Sequence, residues 1–293
     1  MTRRTLIQTP ALALAAAVPA ADEISLAAWS ITRSFFQAKR WTNLGLPKLM
    51  REEFGITNLE FVNQFFENPT LGYLTKLKRA GADAGVKFIR IMVDNEGDMA
   101  AVSAAERKRS IIAHRKWVDI AHEIGCRDIR CNMRGEADAA FPQRAAESFR
   151  ALLDYAKPSG LDIIIENHGG PSSNAETLVA VMKLVNDPHF GTLPDFGNIN
   201  AGDDPYEVVR QLMPYAKGVS VKAMWAEDGT HPRYSVEKMI GIARAAGFHG
   251  HWGIESSFHG QATGLSPEQI WQNECKGVRL TKAVIEKTVF AKG

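Results

Sequence analysis

The sequence is short of the features by which metal-cluster, redox and nucleic-acid proteins announce themselves. Only three cysteines occur in 293 residues, Cys126, Cys131 and Cys275. An odd number cannot all pair within one chain, and no C-x-x-C spacing offers zinc a tetrahedral sulfur site. The expectation for all three is that they are small apolar residues of the interior, without chemistry. Charge of neither sign is in surplus, with 35 Lys and Arg against 33 Asp and Glu. A chain without a basic excess has no footprint for a phosphate backbone, which argues against nucleic acid as a partner. A glycine-rich phosphate loop is missing too. The stretch after the first predicted strand reads Ile31-Thr32-Arg33-Ser34-Phe35, and its lack of glycine argues against a doubly wound dinucleotide-binding sheet.

What is present begins with an unusual N-terminus. Met1-Thr2-Arg3-Arg4-Thr5 precedes an alanine-rich, almost wholly apolar stretch from Ile7 to Ala21, which closes on Val18-Pro19-Ala20-Ala21. A basic start, an apolar middle and a small-residue end are the parts of an export signal, and the paired arginines give it a twin-arginine character. The stretch falls short of the about 20 apolar residues that a stable span requires, so cleavage is expected over anchoring, with no membrane contact afterwards. The predicted division is a signal over residues 1–21 and one domain over 22–293, exported to the periplasm or beyond. Loss of Arg3 and Arg4 leaves 33 basic against 33 acidic residues.

From residue 24 onward, short β-branched runs alternate with longer amphipathic segments, and no Pro/Gly/Ser linker interrupts them. Predicted strands cover 24–30, 58–63, 87–94, 128–133, 162–168, 191–196, 218–225 and 251–257. Helical periodicity fills the intervals, as over 105–124 and 145–157. Gly55, Gly85, Gly125, Gly160 and Gly247 each stop a helix just before a strand, the same joint five times over. Eight such units of roughly 30 to 35 residues predict a single-domain α/β fold, the (β/α)8 TIM barrel, whose usual size is about 250 residues.

In such a barrel the reactive groups stand at the C-terminal ends of the strands. The fifth predicted strand ends Ile165-Glu166-Asn167-His168 and the sixth Pro194-Asp195-Phe196-Gly197-Asn198, while the seventh reads Val219-Ser220-Val221-Lys222-Ala223 and the eighth Gly253-Ile254-Glu255. Glu166, Asp195, Lys222 and Glu255 are 29, 27 and 33 residues apart, close to one barrel repeat each, which sets them at one height. Three carboxylates gathered there need a divalent cation or an ammonium group to hold them together. His168 is an added acid–base candidate. Glu60, Arg130, Asn132, Asn198, Trp29 and His259 are predicted substrate contacts, polar groups for a polyol's hydroxyls and a ring for its apolar face.

These strand ends resemble the xylose isomerase-like TIM barrel superfamily, and the resemblance runs over almost all of the chain after residue 21. It implies a sugar isomerase or epimerase in which Glu166, Asp195 and Glu255 hold Mn2+ or Mg2+ and the two glutamates exchange a proton with the substrate. One ligand departs from the pattern: Ser220 stands where the family carries a metal-binding histidine, and Ala223 where it carries an acid. Two replacements stay open, His168 as the nitrogen ligand, or Lys222 neutralising the carboxylates without a metal.

Proton abstraction next to a sugar carbonyl is therefore the leading expectation. The same enolising site serves β-elimination from a keto-sugar or keto-glycoside, which makes a lyase the alternative. A carbohydrate-binding barrel that has lost its chemistry is a third reading. The expected partner is a small carbohydrate. Outer helix faces of barrels often form dimers, and a homodimer is compatible with this reading, although no isolated apolar stripe demands one. An endonuclease is disfavoured, because the sequence shows neither a basic groove nor a histidine-rich three-metal site.

Overall fold

The structure, a computed structural model, describes residues 21–258 and 263–291. Residues 1–20, which hold nearly all of the predicted signal, and His259 lie outside the described residues.

Eight parallel strands form one sheet: β1 (Glu23–Ala27), β2 (Asn58–Val62), β3 (Lys87–Val93), β4 (Asp128–Cys131), β5 (Asp162–Glu166), β6 (Phe190–Leu193), β7 (Val219–Trp225) and β8 (His251–Phe258). Their order is β6-β5-β4-β3-β2-β1-β8-β7. Parallel bridges Thr192↔Ala216 and Asp195↔Ser220 bring β6 against β7, so the sheet curls round on itself. The fold is the expected (β/α)8 barrel.

All eight predicted strands are present, with shorter ends. Residues 28–31 leave β1 as a 3-10 turn, because the Ser30 hydroxyl donates to the Ile254 carbonyl oxygen and accepts from the Ser256 N–H. That exchange ties the turn to β8. β6 stops at Leu193 since Pro194 has no N–H to continue the ladder. The outer layer is made of α1 (Thr32–Phe36), α2 (Leu46–Phe54), α3 (Leu71–Ala84), α4 (Ala104–Ile124), α5 (Phe141–Ala156), α6 (Ala175–Val185), α7 (Pro205–Leu212), α8 (Val236–Ala245) and α9 (Pro267–Ile285). The five predicted helix stops all lie in the left-handed region, which only glycine enters without strain. All three cysteines are buried and unpaired.

Most of the core is apolar, but the barrel interior carries charge in two tiers. In the lower tier, buried Arg90 sets its Nε 2.6 Å from Asp128 Oδ1 and its Nη1 3.2 Å from Glu60 Oε2. Ser25 donates to the other Glu60 oxygen at 2.5 Å. Glu60 is thus committed to the barrel interior, paired with Arg90 and Ser25. Alternation along β2 points it into the barrel, but its height on the strand puts it in a structural ion pair, 1% exposed. Burying these charges is tolerable only because each is paired.

Candidate active site

The upper tier is the candidate site, and strand register assembles it. β7 and β8 pair with Lys222 opposite Glu255, so the two side chains leave the sheet together. Ser220, two residues earlier on the same face, bridges to Asp195. Glu166 is the last residue of β5. One carboxylate oxygen from each of Glu166, Asp195 and Glu255 lies within 4.8 Å of the other two.

Positive charge already stands among them. Lys222 Nζ is 2.5 Å from Glu255 Oε1 and 3.9 Å from Asp195 Oδ2. Arg130, 1% exposed, brings Nε to 2.8 Å from Glu166 Oε2 and Nη1 to 2.7 Å from Asp94 Oδ1. The first of these is a charge contact whose angle is not that of a hydrogen bond, while the second is a true one. The Asn198 amide donates to Glu166 Oε1 at 2.9 Å. Asp195 Oδ1 accepts from the N–H groups of Gly197 and Asn198, and its Oδ2 accepts from the Ser220 hydroxyl at 2.7 Å. That hydroxyl also lies 3.4 Å from Glu255 Oε2. Each oxygen of the trio therefore faces a protein donor or cation.

Burial and these neighbours push the carboxyls apart. Asp195, fully buried, is driven up to about 8 by desolvation, against the pull of Lys222. Desolvation also raises Glu166, although Arg130 opposes it. At Glu255 burial again acts to raise the carboxyl, but Lys222, by charge and hydrogen bond, and Arg130 outweigh it and hold the group below its ordinary value. Lys222 is correspondingly raised: burial favours its neutral form, but the three carboxylates prevail. His168 is held neutral by burial, helped by Arg130 and Lys222. Glu166 and Glu255 are thus pushed in opposite directions within one cluster, the mark of an acid–base pair.

A cavity of about 280 Å3 opens on these groups, lined by Trp29, Asp94, Arg130, Glu166, His168, Lys222 and Glu255 among others. Beside it lies a second chamber of about 700 Å3, lined by Thr32, Gln37, Met224, Ser257 and Leu265 and sharing Trp29, Lys222 and Glu255 with the first.

Most of the predicted residues meet here. Glu166, Glu255, Lys222 and His168 face the inner chamber, with Arg130 and Trp29. Asp195 joins the cluster but is wholly buried behind it. Asn198 acts through Glu166, and Asn132 is committed to Asp94 Oδ1 at 2.5 Å, so neither lines either chamber. Sequence reasoning missed Tyr234, whose hydroxyl donates to the Lys222 carbonyl oxygen at 2.5 Å; it lies in a loop before α8, far from any strand end. It also missed Gly197, where a Cβ would come within 2.9 Å of Lys222 Cδ. The glycine leaves room for the lysine stem.

A family model described as xylose isomerase-like TIM barrel matches residues 52–280. No curated protein sequence matches the chain. Solved structures do. D-allulose 3-epimerase from Methylomonas sp. superposes with a TM-score of 0.71 at 13% identity, covering 92% of this chain and 99% of that one. A sugar phosphate isomerase/epimerase from Parabacteroides distasonis gives 0.68 at 16%, covering 92% and 100%. The IOLI protein, described with a bound zinc atom, gives 0.72 at 15%, covering 92% and 100%. At such identities the likeness is one of fold.

Proposed function

The chain belongs to the xylose isomerase-like TIM barrel family, and from that premise we propose that it is a sugar isomerase or epimerase that removes a proton next to a carbonyl. The observation that carries this reading is the pair of glutamates, Glu255 lowered and Glu166 raised by their surroundings, that line one cavity with the Lys222 ammonium group beside them.

Glu255 takes the proton from the carbon beside the carbonyl. The electron pair left behind moves onto the carbonyl oxygen, and the enediolate so formed lies against Lys222 and Arg130, whose fixed positive charges favour it over the neutral ketone. A proton held at Glu166 then passes to carbon, and solvent takes the one from Glu255 and returns one to Glu166, so both glutamates are restored and the product is an isomer. Asp195 holds Ser220 and faces Lys222 from behind without touching substrate. Trp29 offers its ring to the apolar face of the sugar.

The resemblance also implies a divalent cation among Glu166, Asp195 and Glu255. The donors fit one poorly, because Lys222 stands at Glu255 Oε1, Ser220 and two backbone N–H groups occupy Asp195, and Asn198 occupies Glu166 Oε1, while Glu166 Oε2, without a hydrogen-bond partner, faces the Arg130 charge. No step here is routed through a metal.

The test is hydrogen exchange from solvent. In D2O the enzyme is expected to place deuterium next to the carbonyl of a ketose it accepts, and Glu255→Gln to lower that rate by about 100- to 10,000-fold while circular dichroism stays unchanged. A variant exchanging at the wild-type rate would remove Glu255 as the base.

The second chamber favours one further reading, β-elimination from a keto-glycoside. It leaves room for a substituent on the sugar held in the inner chamber, and it reaches the same Glu255 and Lys222. Once the proton next to the carbonyl is gone, a group on the adjacent carbon departs with its bonding pair, and an enone forms. Release of aglycone from a 3-keto-glycoside by the wild type, and not by Glu255→Gln, supports the lyase; intact glycoside after exchange has occurred rejects it. Export, as the N-terminal sequence suggests, fits contact with such glycosides.

A further inference from the structure

We propose that Lys222 is the resident cation of this site, a covalently fixed replacement for a divalent metal. The inference goes beyond the acid–base reading, since it concerns which positive charge answers the three carboxylates.

Four observations support it. Strand register fixes the position: Lys222 and Glu255 are direct partners across the β7–β8 ladder, and their side chains meet at 2.5 Å. The stem is accommodated on its other side by Gly197, where any Cβ would lie 2.9 Å from Cδ, 3.1 Å from Cγ and 3.3 Å from Cβ of the lysine. Backbone fixation is added by Tyr234, which donates to the Lys222 carbonyl oxygen. Finally, Ser220 presents a hydroxyl proton to Asp195 Oδ2 and lies within reach of Glu255 Oε2. With its proton spent on Asp195, the serine offers a metal only a neutral hydroxyl oxygen, a weaker ligand than an imidazole nitrogen.

These contacts are mutually reinforcing. The Lys222 ammonium gives Glu255 a charge-assisted hydrogen bond at 2.5 Å and faces Asp195 as a charge at 3.9 Å. A divalent cation entering the trio would first have to displace Lys222 from Glu255 and Asp195, then bear the repulsion of the ammonium nearby. Lysine is a compact point charge on a flexible stem, and here that stem lies against Gly197, which has no Cβ to obstruct it. The tie to Asp195 and Ser220 explains why a fully buried carboxylate that never meets substrate belongs to the site: it positions the cation from behind.

Mn2+ titration of the purified, chelator-treated protein, followed by the electron paramagnetic resonance of free Mn2+, tests this without any substrate. The wild type is expected to show no stoichiometric site in the micromolar range. Ser220→His combined with Lys222→Met, which gives back a nitrogen ligand and removes the ammonium, is expected to create one site per chain. Stoichiometric micromolar binding by the wild type would overturn the proposal, whether or not the double variant folds. A kinetic arm serves as a second reading: Lys222→Met lowers solvent exchange by at least about 100-fold, and added Mn2+ leaves the wild-type rate unchanged. Wild-type exchange that vanishes with chelator and returns with Mn2+ also sinks the proposal. Absence of any exchange would count against the function and leave the metal titration to decide this claim.

Discussion

Asp195 carries the sharpest electrostatic signature in the site. Its carboxyl stands at about 8 against an ordinary value of 3.8, because burial penalises the charged form more than Lys222 favours it. A carboxyl raised by folding binds its proton more tightly in the native state. Its contribution to stability is therefore complete below the ordinary value and is lost as pH rises toward 8. Asp195→Asn removes that loss. The melting temperature of the variant, set against wild type from pH 4 to pH 8, is expected to gain on it steadily; a constant difference across that range would show that Asp195 does not titrate there. Glu166, Asp195, Lys222 and Glu255 were readable as a group because they recur at about one barrel repeat along the later strands, Glu166 closing β5, Asp195 just past β6, and Lys222 and Glu255 within β7 and β8. Glu60 shows the limit of the same pattern. Period-two alternation tells which side chains point into a barrel, but not how far along the axis they sit, and Glu60 lies low enough to be paired with Arg90.

Among the elements, the turn after β1 shapes both chambers, since Trp29 lines each and Thr32 lines the outer one. The start of α1, which follows that turn, is held from the outer layer by α9. Glu274 of that helix is buried and accepts from the Arg33 N–H at 2.7 Å, the Ser34 N–H at 3.1 Å and the Ser34 hydroxyl. Desolvation drives its carboxyl up to about 7 despite these donors. Glu274→Ala strands buried donors and is expected to cost about 1–3 kcal/mol in urea unfolding. It should also raise the KM for a bulky glycoside more than that for a free sugar, because the wall of the outer chamber loosens. Loss of less than about 0.5 kcal/mol would show the contact to be ornamental. Nothing in the sequence marks this tie: residues 34 and 274 are far apart, and a glutamate within an amphipathic helix reads as solvated. The strands and the helix-stopping glycines, by contrast, follow from local periodicity and were visible throughout.

On the scale of the whole molecule, the barrel turns a linear recurrence of strand ends into a ring of charges about one polar cavity. Two tiers divide the work. Arg90 with Glu60 and Asp128 fills the lower interior, and Arg130 links Asp94 to Glu166 above it. Closure through Asp195↔Ser220 completes the ring at the site itself, which is why the last bridge of the sheet and the cluster coincide. That closure was implied by counting eight units, whereas the partners of each charge depended on height and rotamer, which a sequence does not encode locally. The account's central claim is that Glu255 and Lys222 act together on a carbonyl and its neighbouring carbon. A crystal structure of Glu255→Gln with a ketose bound tests it most directly. The account predicts the carbonyl oxygen within hydrogen-bond reach of Lys222 Nζ and the adjacent carbon facing residue 255; a sugar bound with its carbonyl turned away from both would contradict it.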